Sequence, residues 1–317
     1  MKIDFKPWEK CFKGKIPPND MEIIFLGTSH AVPTKEKNQT SILIRYGSEG
    51  ILVDCGEGTQ RQFKIAGISP TKITKILITH WHGDHILGLP GLLQTLALGN
   101  YSKTLEIYGP RGTKEFMKFM LEMFIFKEKI KVNVHEISEG TFFENKDFYL
   151  EAKRMKHQAP CLAYSLVEKN KFKIDMNKLK KAGFKEGPWL KELQQGKDGK
   201  VDGKKIEVKK FTNEIVGKKI SFILDTAIND NCYKISENAD LLISEACFLK
   251  TEEVLASERD HLTAEQIALV AKKSKVKKLI LTHISQRYDK REKIVLEEAK
   301  KIFKNSELAK DFMKIEI

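Results

Sequence analysis

The sequence predicts a mixed α/β fold in which short apolar strands alternate with amphipathic helices. Three observations support this prediction: repeated apolar runs of strand length, longer segments with helical periodicity, and ionisable residues that directly follow several of the runs. A chain of 317 residues is long enough for one large domain or two smaller ones with a full hydrophobic core.

The predicted elements follow from local patterns in chain order. The candidate strands are Glu22–Leu26, Ser41–Arg45, Ile51–Asp54, Lys75–Ile78, Leu105–Tyr108, Phe148–Lys153, Ala163–Val167, Ile220–Leu224, Leu241–Ser244 and Lys278–Leu281. The candidate helices are Gly58–Ala66, Leu87–Leu98, Lys114–Phe124, Ala264–Lys273 and Lys290–Phe303. Thr263 and Gln266 have the spacing of a capping box, in which both side chains satisfy backbone donors at a helix start.

Composition limits the cellular setting. No apolar run approaches the ~20 residues of a membrane-spanning helix, and the first residues lack the apolar core of a secretory signal. We therefore expect a cytoplasmic protein with no membrane partner. Five cysteines without a CxxC pair argue against a disulfide framework or a zinc ribbon, so we expect reduced, buried thiols. Residues 1–20 form a predicted N-terminal extension, and residues 21–317 the main domain.

The densest group of ionisable residues is His80-Trp81-His82-Gly83-Asp84-His85. His80 and His82 follow an apolar strand and share one face of an extended segment, so both imidazoles can bind one cation. Asp84 and His85 lie where the chain turns into a helix and can serve a second cation. Imidazole and carboxylate suit Zn²⁺, with Mn²⁺ or Fe²⁺ as alternatives. A solvated histidine-rich turn is the other interpretation, but three of eight histidines within six residues argues against it.

Two cations need further ligands, which we expect at other strand ends. His157 follows a strand and precedes Pro160, Asp225 directly follows an apolar run, and His283 repeats the strand-Thr-His pattern of His80. Asp225 is the best candidate for a bridge between the cations, since its apolar surroundings require a partner. Asp54 ends another strand and can orient a ligand imidazole. We assign His30 and His135 to surface or packing positions, with a place for His30 near the site as the alternative.

Positive charge is concentrated in one segment. The formal net charge is +13, and residues 169–210 contain fourteen lysines against six acidic residues. This stretch is polar and rich in glycine, so we predict an arm that projects from the core, with an apolar tip at Phe184 and Pro188–Leu190. The arm is either a surface for an acidic polymer or an ordinary solvated surface.

Several blocks together resemble a known family. They are Met21–Thr28, Val32–Thr34, Asp54–Gln60, the His80–His85 motif with Gly88–Leu93, and Leu281–Tyr288. Their sequences and order are similar to those of ribonuclease Z, the tRNA 3′-processing branch of the metallo-β-lactamase fold. The likeness runs from about Met21 to Tyr288. Leu224 stands where the family commonly has glycine, Ser244 and Cys247 where it often has histidine and threonine, and Leu262 where it has serine.

The resemblance implies an αβ/βα sandwich of two mixed sheets with helices outside and a site at one edge. It implies two Zn²⁺ per subunit, with His80, His82 and His157 on one ion, Asp84, His85 and His283 on the other, and Asp225 between them. It also implies a homodimer in which the arm of one subunit reaches precursor tRNA at the other's site, with no role for DNA. The expected substrate-binding residues are Phe184, Lys185, Gly187, Pro188 and Trp189 in the arm, and Arg287.

The predicted activity is a zinc-dependent endoribonuclease that removes the 3′ trailer from precursor tRNA near the discriminator base. Our hypothesis is that Asp84 accepts the proton of the attacking water, while His261, oriented by Glu245, donates one to the leaving 3′ oxygen. The Glu245–His261 pair is alternatively a buried structural couple. Two rival functions are a small-molecule phosphodiesterase or thioester hydrolase of this fold, and a non-catalytic RNA-binding protein with a structural metal.

Overall fold

A computed structural model describes residues 21–125, 130–201 and 203–317, so the predicted N-terminal extension, with Cys11, lies outside the described residues. The strands are β1 (Met21–Gly27), β2 (Ser41–Tyr46), β3 (Glu49–Val53), β4 (Lys75–Leu77), β5 (Thr104–Gly109), β6 (Lys131–Glu136), β7 (Gly140–Glu144), β8 (Phe148–Met155), β9 (Cys161–Glu168), β10 (Lys171–Ile174), β11 (Gly199–Val201), β12 (Lys204–Ile206), β13 (Thr212–Ile215), β14 (Lys219–Ile223), β15 (Leu241–Glu245), β16 (Lys278–Thr282), β17 (Ser306–Leu308) and β18 (Lys314–Glu316).

The helices are α1 (Thr59–Ile65), α2 (Gly83–Ile86), α3 (Leu89–Leu98), α4 (Thr113–Met123), α5 (Met176–Lys181), α6 (Leu190–Gln194), α7 (Val208–Phe211), α8 (Asp230–Ser236), α9 (Glu253–Glu258), α10 (Ala264–Lys273) and α11 (Lys293–Ile302). The capping box before α10 is present as predicted: the Thr263 hydroxyl accepts from the Gln266 backbone, and the Gln266 side chain accepts from the Thr263 backbone.

Two seven-stranded mixed sheets form the body of the protein. The first has the order β18-β1-β2-β3-β4-β5-β6, with antiparallel pairing up to β3 and parallel pairing from β3 to β6. The second has the order β17-β16-β15-β14-β9-β8-β7, with parallel pairing from β17 to β14 and antiparallel pairing beyond it. In both sheets the parallel strands end at loops that carry the predicted metal ligands, such as His80 after β4 and Asp225 after β14.

Three apolar clusters define four layers. The central cluster joins the facing sides of the two sheets, with Phe25 and Ile44 on one side and Tyr164 and Phe222 on the other. A second cluster packs α1, α3 and α4 on the first sheet, and a third packs α8, α10 and α11 on the second sheet. The predicted αβ/βα sandwich is therefore confirmed. Among the described residues, no helix has the length and apolar character needed to cross a bilayer.

The basic arm is folded rather than irregular. Its strands pair only with each other, β10 with β13 and β11 with β12, and it has its own small apolar cluster. Phe184 and Trp189, two residues of the predicted apolar tip, are partly buried and pack in that cluster against Leu193 and Ile206. The arm also extends past residue 210, because β13 ends at Ile215.

Buried thiols agree with the prediction for reduced cysteines. Cys55, Cys161, Cys232 and Cys247 are all buried and free of disulfides in the described part of the chain. Seven elements of the described main body were not predicted: β6, β7, β17, β18, α2, α8 and α9. None of them is longer than seven residues, so each offers few residues in which a periodicity can be recognised.

Candidate metal centre and active site

The parallel strands of both sheets deliver polar side chains to one edge of the sandwich. Asp54 follows β3, His80 lies just after β4, Asp225 lies just after β14, Glu245 ends β15 and His283 follows β16. Side chains at the carboxyl ends of parallel strands share one edge of a sheet, which is why these sequence-distant residues meet. Asp54 and His283 have positive φ angles of 56° and 53°, so the chain turns sharply at two of these positions.

One group of possible ligands contains His80, His82, His157 and Asp225, whose ligand atoms all lie within 4.8 Å of one another. His82 Nδ1 is 3.2 Å from His157 Nε2. Asp225 Oδ2 lies 3.6 Å from His80 Nε2 and 3.9 Å from His157 Nε2. This group has the donor types that zinc favours, with three imidazoles and one carboxylate.

A second group contains Asp84, His85, Asp225 and His283, again with all ligand atoms within 4.8 Å. Asp225 Oδ1 lies 2.8 Å from His283 Nε2 and 3.5 Å from His85 Nε2. Asp84 Oδ2 is 3.3 Å from His85 Nε2 and 3.8 Å from His283 Nε2. The two oxygens of Asp225 thus face different groups, which is the arrangement expected of a bridging carboxylate.

Four atoms at the centre of these groups indicate that cations belong there. His80 Nε2, His85 Nε2, His283 Nε2 and Asp225 Oδ1 are buried and have no hydrogen-bond partner among the described residues. Buried polar atoms in native proteins are nearly always satisfied, because leaving one unpaired costs about 1–3 kcal/mol. Imidazole nitrogens that face each other and a shared carboxylate fit metal ligation, so the residues present suit the metal that the fold implies.

The opposite nitrogens of the same imidazoles are held by the surrounding chain. Such contacts fix the ring orientation and the tautomer of a ligand imidazole. Each of four rings has its Nδ1 atom within 3.1 Å of an oxygen, and the partners are the Asp54 carboxylate for His85 (2.6 Å), the Thr40 hydroxyl for His283 (2.7 Å), the Thr79 hydroxyl for His80 (3.1 Å) and the Asp260 carbonyl for His157 (3.1 Å). The predicted orienting role of Asp54 therefore has a direct contact to support it.

The charges of the site keep its carboxylates ionised. Burial raises the pKa of Asp225, but the charges of His283 and His85 outweigh it and hold that pKa well below its usual range. The pKa of Asp84 is also lowered, against the effect of burial, by its close contact with His85 and by the charges of His85 and His283. Burial and the charge of His85 hold the pKa of His80 well below its ordinary value. These shifts favour two ionised carboxylates and a neutral His80. Burial lowers the pKa of His85, but the charges of Asp225 and Asp54 raise it well above its ordinary value, so a cation at His85 Nε2 has to displace a proton.

Glu245 and His261 form a buried pair beside these groups. Both Glu245 carboxylate oxygens lie 3.1 Å from His261 Nδ1 and also accept from the Thr226 and Leu262 backbone N–H groups. Burial lowers the pKa of His261, but the charge of Glu245 and the hydrogen bond to it raise the pKa to about 9. The His261 ring centroid is 5.5 Å from that of His157, so the imidazole faces the candidate ligands.

Two residues at the site were not assigned to it from the sequence. His30 was placed at a surface or packing position, with proximity to the site as the alternative, and its ring centroid lies 5.2 Å from His261 and 4.7 Å from His283. Cys247 was noted only as a departure from the family pattern, and its thiol donates to the His283 carbonyl. The sequence did contain a signal for both residues, because His30 and Cys247 each lie a few residues after an apolar strand, as the predicted metal ligands do. His135, in contrast, pairs with Glu106 on β5 and stacks on Tyr108.

The predicted substrate-binding residues do not gather at the metal centre. Phe184 and Trp189 lie in the arm's apolar cluster, whereas Lys185 and Pro188 are exposed on its surface. Arg287 lies in a short turn after His283, where it pairs with Glu252 and sits over the Phe248 ring. Binding roles for these residues therefore remain predictions that depend on the arm reaching a substrate.

Comparisons with known proteins agree with this architecture. A family model described as anti-Pycsar protein Apyc1 matches residues 21–178. A curated ribonuclease Z from Methanothermobacter thermautotrophicus is 40% identical over 94% of this chain and 97% of its own length. The crystal structure of the short form of human tRNase Z superposes with a TM-score of 0.68 at 28% identity, covering 93% of this chain and 98% of that one.

The fold extends to more distant proteins. The metallo-beta-lactamase fold protein YhfI from Bacillus subtilis has a TM-score of 0.68 at 19% identity, and it covers 94% of this chain and 100% of its own, which shows the shared fold alone. Full-length similarity to curated relatives at this level of identity establishes family membership. The chain belongs to the ribonuclease Z family of metallo-β-lactamase-fold hydrolases.

Proposed function

We propose that the protein is a zinc-dependent endoribonuclease that removes the 3′ trailer of precursor tRNA near the discriminator base and leaves a 3′-hydroxyl on the tRNA. The observation that carries this proposal is Asp225, whose two carboxylate oxygens each face a separate group of imidazoles. A dinuclear centre suits phosphodiester hydrolysis, since cations bound there polarise a phosphate oxygen and make water a stronger nucleophile.

The chain's own residues supply the proton transfers. Asp84 is ionised and near the centre of the site, so its carboxylate can accept the proton of the attacking water. Glu245 accepts the Nδ1 proton of His261 and its charge keeps the imidazole protonated, so the Nε2–H of His261 can donate to the 3′ oxygen as the bond of that oxygen to phosphorus breaks. The net reaction consumes one water: its hydroxyl group ends on the trailer phosphate, and a proton ends on the 3′ oxygen of the tRNA.

The arm supports a nucleic-acid substrate. Lys180, Lys181, Lys185 and Lys191 are exposed and have no acidic ion-pair partner among the described residues. Such lysines bind phosphates and release condensed counterions, which gives affinity without reading sequence. We further propose a cytoplasmic homodimer in which the arm of one subunit holds tRNA at the active site of the other.

Cleavage of a precursor tRNA tests the proposal. The purified protein is incubated with a precursor that carries a 3′ trailer, with and without chelator, and the cut is mapped to single-nucleotide resolution. We expect a cut just after the discriminator base that chelator abolishes and added Zn²⁺ restores. D225N should lose this cleavage, while H135A, which alters a histidine outside the ligand groups, should keep it.

Other outcomes would favour the rival functions. Turnover of bis-p-nitrophenyl phosphate without any cleavage of precursor tRNA would identify a small-molecule phosphodiesterase. Tight binding of tRNA with no turnover of either substrate, at full metal content, would identify a non-catalytic RNA-binding protein.

A further inference from the structure

A third group of possible ligands adjoins the dinuclear centre without being part of it. His30, Cys247 and His261 place one ligand atom each within 4.8 Å of the others. They come from three separate segments, the loop after β1, the loop after β15 and the segment before α10. Two imidazoles and a thiol are a donor set typical of zinc and of softer divalent cations.

The ligand atoms of this group have few competing partners. No hydrogen bond of the His30 imidazole is found within the described ranges, and its ring contacts only those of His261 and His283 among the aromatic neighbours. The Cys247 thiol, a weak donor, lies 3.0 Å from the His283 carbonyl and also contacts the Glu245 carboxylate, and a cation on the sulfur would replace both contacts. His261 is bound to Glu245 through Nδ1, which leaves Nε2 available.

The surroundings also favour a cation. The Glu245 carboxylate is fully buried, and it holds His261 in the way that a carboxylate orients a metal-binding imidazole. Cys247 is one of the positions at which this chain departs from the family pattern, since it stands where the family often has threonine. A thiolate is a far better zinc ligand than a hydroxyl, so this substitution turns a pair of imidazoles into a three-ligand group.

We propose that His30, Cys247 and His261 form a third, weaker site for a thiophilic divalent cation such as Zn²⁺ or Cd²⁺, and that filling it inhibits the enzyme. The Cys247 thiol and the Nε2 atom of protonated His261 each release a proton to solvent as the bonds to the cation form. Once its Nε2 atom is bound to the cation, His261 cannot donate a proton to the leaving oxygen. The inhibitory consequence depends on the proposed function, whereas the binding site does not.

A cadmium titration tests the binding site. The zinc-loaded protein, in a C11S background because Cys11 lies outside the described residues, is titrated with Cd²⁺ while the ultraviolet charge-transfer band of a cadmium–thiolate bond is recorded. The two catalytic groups contain no cysteine, so exchange of Cd²⁺ into them produces no such band. We expect one thiolate-bound Cd²⁺ per chain. C247S should remove the band, H30A should weaken binding, and C232S, which alters a buried thiol outside the group, should leave the band unchanged.

Inhibition by excess zinc tests the consequence. We expect Zn²⁺ beyond two equivalents to inhibit cleavage. C247S should need about tenfold more Zn²⁺ for half-inhibition, because it loses the thiolate ligand; tenfold corresponds to the loss of about 1.4 kcal/mol of binding. A band that persists in C247S, or no band at any Cd²⁺ concentration in folded protein, would overturn the site. A protein that shows the band but never cleaves RNA would refute the proposed function and leave the binding site standing.

Discussion

Replacing Asp54 by asparagine tests how the chain prepares its metal ligands. The Asp54 carboxylate is fully buried; Oδ1 accepts from the Thr79 backbone N–H at 2.8 Å, and Oδ2 lies 2.6 Å from His85 Nδ1. A carboxylate acceptor keeps the proton of His85 on Nδ1, which leaves Nε2 free for a cation. In D54N the amide oxygen can still accept from Thr79, and the NH₂ group then faces His85 Nδ1. That donor forces the imidazole proton onto Nε2, the atom that should bind metal.

The expected loss of metal affinity follows from the contact between Asp54 and His85. Loss of such an orienting partner reduces metal affinity by about 10-fold to 100-fold, or about 1.4 to 2.7 kcal/mol. Backbone strain in D54N would not explain the loss of metal affinity, because Asp54 has a φ of 56° and asparagine tolerates that conformation well.

Competition with a coloured chelator of known affinity measures the effect in wild type, D54N and S41A. S41A is the matched control, because the Ser41 hydroxyl donates only to the backbone carbonyl of Asp54. Thermal unfolding of the metal-free proteins separates metal affinity from stability. A folded D54N protein that binds zinc as tightly as wild type would refute the argument.

Three further predictions concern proton transfer and the arm. H261A should lower kcat by about 10²-fold to 10⁴-fold with bound zinc unchanged by elemental analysis, and unaltered turnover would exclude His261 from the mechanism. E245Q removes the charge that raises the pKa of His261 to about 9, so the alkaline limb of the kcat profile should move to lower pH; a fixed limb would assign it to another group. Replacing residues 169–217 by Asn-Gly should join β9 and β14 as a hairpin, because the Glu168 N–H donates to the Lys218 carbonyl. KM for precursor tRNA should rise about tenfold or more with little change in bis-p-nitrophenyl phosphate hydrolysis, and equal loss of both would contradict a substrate-holding arm.

The base of the arm offers a fourth prediction. The Glu168 carboxylate accepts from the Tyr46 hydroxyl at 2.6 Å and from Lys171 Nζ at 2.7 Å, which ties the first arm strand to the body. E168A should raise KM for precursor tRNA about tenfold or more while kcat stays constant, since a charge-assisted contact of this kind is worth about 1.5–3 kcal/mol and about 1.4 kcal/mol corresponds to a factor of ten. E168Q, which keeps an acceptor, should recover part of the loss. A fall in kcat with unchanged KM would show that this contact does not act by positioning the arm.

Sequence patterns predicted the strands that carry the site because each strand is locally apolar and each polar group directly follows it. His80, Asp225 and His283 share this arrangement, and the covalent chain fixes how far each lies from its strand. Family-specific blocks then identified the ribonuclease Z family, which the comparison with curated relatives confirms.

The same approach failed where folding depends on distant partners. No strand or helix was predicted within the arm because its apolar residues are few and widely spaced, yet Phe172, Phe184 and Leu193 form one cluster when β10 and β13 pair. His30 follows β1 by three residues, as His80 follows β4, but a single histidine at the start of a long loop does not show where that loop packs, and its contacts with His261 and His283 place it at the site.

The sequence by itself determined the strands that carry the site, the donor residues at their ends and the family, since these depend on neighbours along the chain. Only the tertiary structure decided which donors face one another. The parallel register of β14 beside β15 and β15 beside β16 aligns the ends of the three strands, and Asp225 then presents one oxygen to each imidazole group. The placement of the two Asp225 oxygens, and the approach of His30 and Cys247 to His261, arise from contacts between residues far apart in the chain. No local sequence pattern encodes such contacts.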